Sequence, residues 1–247
     1  MPSPLRIARV TDLAALGAAV ADALVAGCRA RQAQGEVPCI VLTGGSGGER
    51  VLRDLAAHAE LGSVDWRRVR FLWGDERWVP QGHEDRNDKL ADDTLFAAVE
   101  TDPALVHRIP AADSGLPLDA AAAAYADLVA GIDRIDFALS GVGPDGHVAS
   151  LFPGREDLLL VGPDVVDAIP VRDSPKPPPE RISLTLPALN RAEHTWLIAA
   201  GAAKAEAVGR IVARDEPVLP AARLSGTVET VIWADDAALS IVDASGR

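Results

Sequence analysis

Cysteine is nearly absent from this chain. The two present, Cys28 and Cys39, have neither metal-ligand nor redox spacing, and are expected to be buried thiols in a reducing compartment. Aromatic residues make up only 4% of a composition that is 48% hydrophobic. Alanine dominates the apolar share, which favours helices packed closely on a sheet. Cations are in the minority, with Lys+Arg 24 against Asp+Glu 36 and a formal net charge of −12. Such a field argues against nucleic acid and anionic membranes as partners, and an anionic ligand would need a local cluster of cations. No apolar run reads as long enough to span a bilayer, and the N-terminal stretch lacks the apolar core of a signal peptide. A cytoplasmic protein is the expectation. No pair of the five histidines has metal-ligand spacing, so no metal site is expected. There is no internal repeat.

The segments that remain alternate between two patterns. Helical spacing of apolar residues runs over 11–33, where Thr11 or Asp12 can cap, and over 49–61, 90–99, 119–129 and 201–212. Short β-rich runs fall at 37–42, 69–73, 106–109, 135–139, 165–171, 195–200 and 228–233, and Asp235 is placed to cap a last helix. This alternation predicts an α/β fold, a mostly parallel sheet with helices on both faces, formed by residues 1–247 as one domain. Asp173-Ser-Pro-Lys-Pro-Pro-Pro179 can continue neither pattern. It reads as an ordered extended loop or as a linker.

Chemistry concentrates where strands end. After the run 135–139, Gly141, Gly143 and Gly146 allow sharp turns around Asp145 and His147. In an open α/β sheet ligands sit beyond the carboxyl ends of the strands, so His147 is a candidate general base set among anion-binding amides. Gly44-Gly-Ser-Gly-Gly48 joins a strand to a helix. Amides and helix dipole there favour a phosphate on Gly44, Gly45 and Ser46. The loop lacks the Gly-Lys-Ser/Thr ending of a P-loop and the Gly-x-Gly-x-x-Gly of a dinucleotide fold. Gly44-x-Ser46-x-Gly48 also matches a serine-hydrolase nucleophile elbow, and a plain tight turn is the third reading. Asp75-Glu-Arg77 is either a solvated ion pair or a place where Arg77 meets an anion while the carboxylates hold it. Arg181 and Lys204 lie at element boundaries. Lys204 sits in a first helical turn, where the dipole disfavours a cation unless an anion is near.

Taken together, these segments resemble the 6-phosphogluconolactonases. The resemblance runs through Leu42-Thr-Gly-Gly-Ser46, Trp73 to Pro80, Gly141 to Gly154, Ser174 to Thr185 and Gly201-Ala-Ala-Lys204. It covers nearly the whole chain. Departures fall at Ser46-Gly-Gly-Glu49, where the family commonly continues Ser-Thr-Pro, and at Arg86-Asn87, where it often has Ser-Asn. The family shares its Rossmann-like fold with glucosamine-6-phosphate isomerases/deaminases, and the His147 segment favours the lactonase.

The resemblance implies hydrolysis of a phosphorylated sugar lactone in the oxidative pentose phosphate pathway, without a cofactor. His147 would be the general base, and Asp75 would orient that base or the sugar. Gly44, Gly45, Ser46, Arg77, Asp145, Gly146, Arg181 and Lys204 would contact substrate. The state expected is a monomer or weak homo-oligomer. An isomerase/deaminase, a serine esterase using Ser46 and a non-catalytic sugar-phosphate sensor are the alternatives.

Overall fold

The computed structural model describes residues 3–162, 164–215 and 217–244. Its strands are β1 (Leu5–Val10), β2 (Cys39–Leu42), β3 (Arg70–Trp73), β4 (Asp75–Arg77), β5 (Phe137–Gly141), β6 (Ala168–Val171), β7 (Arg181–Leu184), β8 (His194–Ala199) and β9 (Glu229–Asp235). The helices are α1 (Leu13–Ala33), α2 (Gly45–Ala56), α3 (Asn87–Asp93), α4 (Leu95–Ala98), α5 (Leu118–Ala130), α6 (Leu186–Leu189), α7 (Ala205–Ala213) and α8 (Asp236–Ala244).

Six strands form a parallel sheet in the order β1-β9-β8-β5-β2-β3. Residues of β2 and β8 are buried on both faces, as a sheet covered by helices requires. From β2 the chain moves outward to β3, whereas β5, β8 and β9 step the other way. The strand order therefore reverses between β2 and β5, and a crevice opens there beyond the strand ends. The predicted mostly parallel α/β architecture is the one observed.

A second sheet, β4-β7-β6, is antiparallel and sits beyond the end of β3. Gly74 makes the connection: its N–H donates to Leu42 O at 3.0 Å, and its carbonyl accepts from Leu184 N at 2.8 Å. Residues 75–77, read from sequence as a polar loop, are thus a strand. The register pairs Asp75 with Ser183 and Arg77 with Arg181.

Other boundaries move for identifiable reasons. Asp12 caps α1, accepting from Ala15 N at 2.8 Å. α2 starts at Gly45 and not at Glu49, so the glycines form its first turn. The expected helix 90–99 is two short helices parted at Thr94, whose ψ of −91° breaks the helix. Residues 106–109 supply only a single bridge, Val106 to Phe71. β1 exposes Arg6, Ile7 and Arg9 and packs Leu5, Ala8 and Val10 against the core; this irregular spacing carries no apolar alternation, and the sequence reading has no strand there. α1 corrects the reading that no apolar run could span a bilayer, since by length and composition it passes for one: it has 21 residues and contains an 18-residue stretch with a mean hydropathy of 1.5. Its buried residues, Leu16, Val20, Leu24 and Cys28 among them, form one stripe at helical spacing that joins the core. Both thiols are buried, and burial pushes Cys28 and Cys39 up to about 12.

Candidate active site

The crevice at the strand reversal is a cleft of about 260 Å³. Thr43 to Gly47 follow β2, Gly141 ends β5 with Val142 and Gly143 after it, and Ile198 lies near the end of β8 with Ala200 just beyond. The opposite wall comes from the small sheet and its loops: Asp75, Arg77, Arg181, Lys176 and Pro177. Asn87, His147, Ala149 and Lys204 complete the lining.

His147 rests against Gly143, where a Cβ would lie 1.9 Å from Nδ1, so only glycine admits the ring. Phe152 packs on the ring with centroids 4.9 Å apart. The turn is closed by Gly143 N donating to His147 O and Gly146 N donating to Gly143 O, both at 2.9 Å. Nδ1 lies 2.5 Å from Asp145 Oδ1. Burial works to raise the Asp145 carboxyl, but His147 and Lys176 outweigh it and hold the group at about 2. An ionised Asp145 accepts, so Nδ1 carries the proton of that bond, and in the neutral ring the lone pair falls on Nε2.

Asp75 is buried. It accepts from Ser150 Oγ at 2.6 Å and from Asn87 Nδ2 at 3.2 Å, and Arg181 Nη1 stands 3.9 Å away. Neighbouring Glu76 accepts from the N–H groups of Asn87 and Asp88 at 2.8 and 2.9 Å, which caps α3. Burial pushes Glu76 up to about 7, against the pull of Arg86. Asn87 also packs on the glycine loop: a Cβ at Gly44 would lie 1.8 Å from its Oδ1. The Arg86 departure has a structural role, because its buried guanidinium donates to Asp88 at 2.8 and 2.9 Å and to Ile109 O at 2.8 Å.

α2 has Gly44 at its N-cap and so no side-chain cap, and among the described residues no side chain accepts from the amides of its first turn, which lines the cleft. Lys204 is half-buried at the start of α7, and burial followed by Lys176 lowers its pKa. Arg181 is more deeply buried, and burial likewise lowers its pKa, against the pull of Asp75. Its donors reach Lys176 O at 3.0 Å, Pro177 O at 3.1 Å and Pro178 O at 3.2 Å. Arg77 Nη1 donates to Asp85 O.

The structure brings together Gly44, Gly45, Ser46, Asp75, Arg77, His147, Arg181 and Lys204 in one cleft. Asp145 and Gly146 stand outside its lining: Asp145 lies behind His147, and Gly146, at φ +82°, supports the turn against Leu219. Sequence reasoning missed Asn87 and Lys176. Both lay inside segments already singled out, but the contacts that place them are remote in sequence. Ser46 lacks the strained positive φ of a nucleophile elbow, and among the described residues no hydrogen bond joins it to a histidine.

The profile of the glucosamine-6-phosphate isomerases/6-phosphogluconolactonase family matches residues 11–233, and the chain belongs to that family. Within it, the chain is 41% identical over 233 residues to a 6-phosphogluconolactonase of Mycobacterium leprae, covering 90% of each chain. A crystal structure of 6-phosphogluconolactonase from Thermotoga maritima superposes with TM-score 0.81 at 26% identity, over 94% of this chain and 100% of that one. A monomeric glucosamine-6-phosphate deaminase reaches TM-score 0.80 at 16% identity, over 96% of this chain and 99% of that one. The fold is thus common to both chemistries.

Proposed function

We propose that the cleft hydrolyses 6-phospho-D-glucono-1,5-lactone to 6-phospho-D-gluconate, in the oxidative pentose phosphate pathway and in the cytoplasm. The chain is a lactone hydrolase of the 6-phosphogluconolactonase type, as its similarity over 90% of its length to an enzyme of that name supports. One observation carries the mechanism. His147 has Asp145 on Nδ1, which in the neutral ring leaves the Nε2 lone pair for water, in the same cleft as an uncapped helix N-terminus and Lys204.

The phosphate would lie on the first turn of α2, against Gly44, Gly45 and Ser46, with Lys204 as its cation. His147 Nε2 would take a proton from water as the water oxygen bonds to C1. The imidazolium so formed is stabilised by Asp145. Collapse of the tetrahedral intermediate restores the C1 carbonyl and breaks the C1 to ring-oxygen bond, and His147 returns its proton to that oxygen. The carboxylic acid formed ionises to water. Asp75, held by Ser150 and Asn87, would position a sugar hydroxyl. Ser46 would donate to phosphate and not attack carbon.

The test is turnover of freshly made lactone, corrected for spontaneous hydrolysis. Hydrolysis in ¹⁸O water should place one label in the carboxylate, and heavy water should leave no deuterium at C2. Deuterium at C2 appearing at the turnover rate, or ammonia released from glucosamine 6-phosphate, would overturn the reading in favour of isomerase chemistry with Asp75 as base.

A further inference from the structure

Four cationic side chains line the cleft: Arg77, Lys176, Arg181 and Lys204. Arg77 and Arg181 donate to backbone carbonyls of the fold. Lys204 stands at the start of α7, beyond β8. Lys176 differs from all three. Its Nζ lies 3.3 Å from His147 Nδ1 and 3.9 Å from Asp145 Oδ1. Nδ1 donates its proton to Asp145, so it has no lone pair to offer the ammonium. At 3.9 Å the carboxylate is an ion-pair partner and not a hydrogen-bond acceptor. The ammonium therefore keeps donors available beside the base, in the cleft.

Its backbone, by contrast, is tied down. Arg181 donates to the carbonyls of Lys176, Pro177 and Pro178, Lys176 N donates to Ser174 Oγ at 3.3 Å, and Ser174 N donates to Pro179 O at 3.0 Å. The proline loop is thus a fixed mount for a side chain that remains 43% exposed.

The movement of charge during hydrolysis gives this placement a use. Before reaction the Lys176 ammonium and the Asp145 carboxylate balance each other. When His147 takes the water proton, the carboxylate is paired by the imidazolium. The lysine charge, on the lining of the same cleft, is left unbalanced at the moment the C1 carbonyl oxygen becomes negative. A preorganised charge aimed at a developing oxyanion is among the largest contributions to ester hydrolysis.

We infer that Lys176 is a further catalytic residue, whose ammonium contacts the C1 oxygen of the lactone and stabilises the oxyanion, and that Arg181 is the positioning residue that holds its loop. This rests on the lactonase reading above. Bonds and protons balance as there, since Lys176 donates a hydrogen bond throughout and transfers nothing.

The experiment is Lys176→Cys followed by alkylation, which is selective because Cys28 and Cys39 are buried. Lys176→Cys should lower kcat by about 10²- to 10³-fold with KM changed by less than about threefold. Treatment with 2-bromoethylamine, which rebuilds an ammonium at that position, should restore most of the loss, whereas iodoacetamide should restore none. Arg181→Gln should lower kcat in the wild-type background and have little further effect on Lys176→Cys, as residues acting through one another do. Unchanged kcat in Lys176→Cys overturns the inference. So does a rise in KM alone, which would make Lys176 a phosphate contact. Failure of the aminoethylated protein, with modification shown by mass spectrometry, would mean the loss was structural and also overturns it. If the wild-type protein leaves the lactone intact, the lactonase reading falls and this inference with it.

Discussion

At position 147 the proposed base has Asp145 on one ring nitrogen, which in the neutral ring leaves the other for water. Asp145 at 2.5 Å fixes the tautomer, and Gly143 leaves the space in which the ring lies. Replacement of His147 by alanine should therefore lower kcat by about 10²- to 10⁴-fold, the span that general base catalysis supplies. Binding of 6-phosphogluconate, measured by calorimetry, should change little, because the proposed phosphate contacts belong to α2 and Lys204. A His147→Ala protein with near wild-type turnover would remove the ring from the mechanism.

The short helix α3 and strand β4 act as one brace, joined by the Glu76 carboxyl on the amides of Asn87 and Asp88. Through Asn87 the brace reaches both Asp75 and Gly44, one on each wall of the cleft. Glu76 also makes stability depend on pH. A carboxyl raised in the fold to about 7 from 4.5 binds its proton more tightly folded than unfolded. Its stabilising contribution is complete below the unfolded value and is lost as pH climbs through the folded one. The Tm deficit of Glu76→Gln relative to wild type should accordingly shrink between about pH 5 and about pH 8. A deficit that is constant or grows over that range would show Glu76 to be ionised throughout.

This brace was also where the sequence was hardest to read. Periodicity located β2, β3, β5, β8, β9 and α1, because their burial patterns depend on residues near in sequence. It could not show that Asp-Glu-Arg at 75–77 is a strand at the edge of a second sheet, because the partners that satisfy Asp75 and Glu76 lie at 87, 88 and 150. The glycines around His147 and at 44–48 were legible because close approach leaves a compositional mark. Lys176 left none, as the role inferred for it depends on where a proline loop docks.

Across the whole molecule, the cleft is built from both sheets. The parallel sheet contributes the glycine loops and Lys204, and the antiparallel one contributes Asp75, Arg77 and Arg181. A ligand spanning them ties the two sheets together. Product 6-phosphogluconate at about 100 times its Kd should stabilise the fold by about 2.7 kcal/mol, visible as a rise in Tm. Lys204→Ala should need about tenfold more ligand for the same rise, as expected for loss of one charge-assisted contact. Equal dose-dependence in the two proteins would place the phosphate elsewhere. β1 adds a different constraint, because its six residues pair in parallel with 230–235, and Ser3 bonds to Thr230 Oγ1 at 2.6 Å. On the ribosome, β1 must wait for β9 to be made. Closing so long a loop is slow, and until residue 235 is free β1 has no partner, so a chaperone that shields an unpaired strand should be needed most during synthesis.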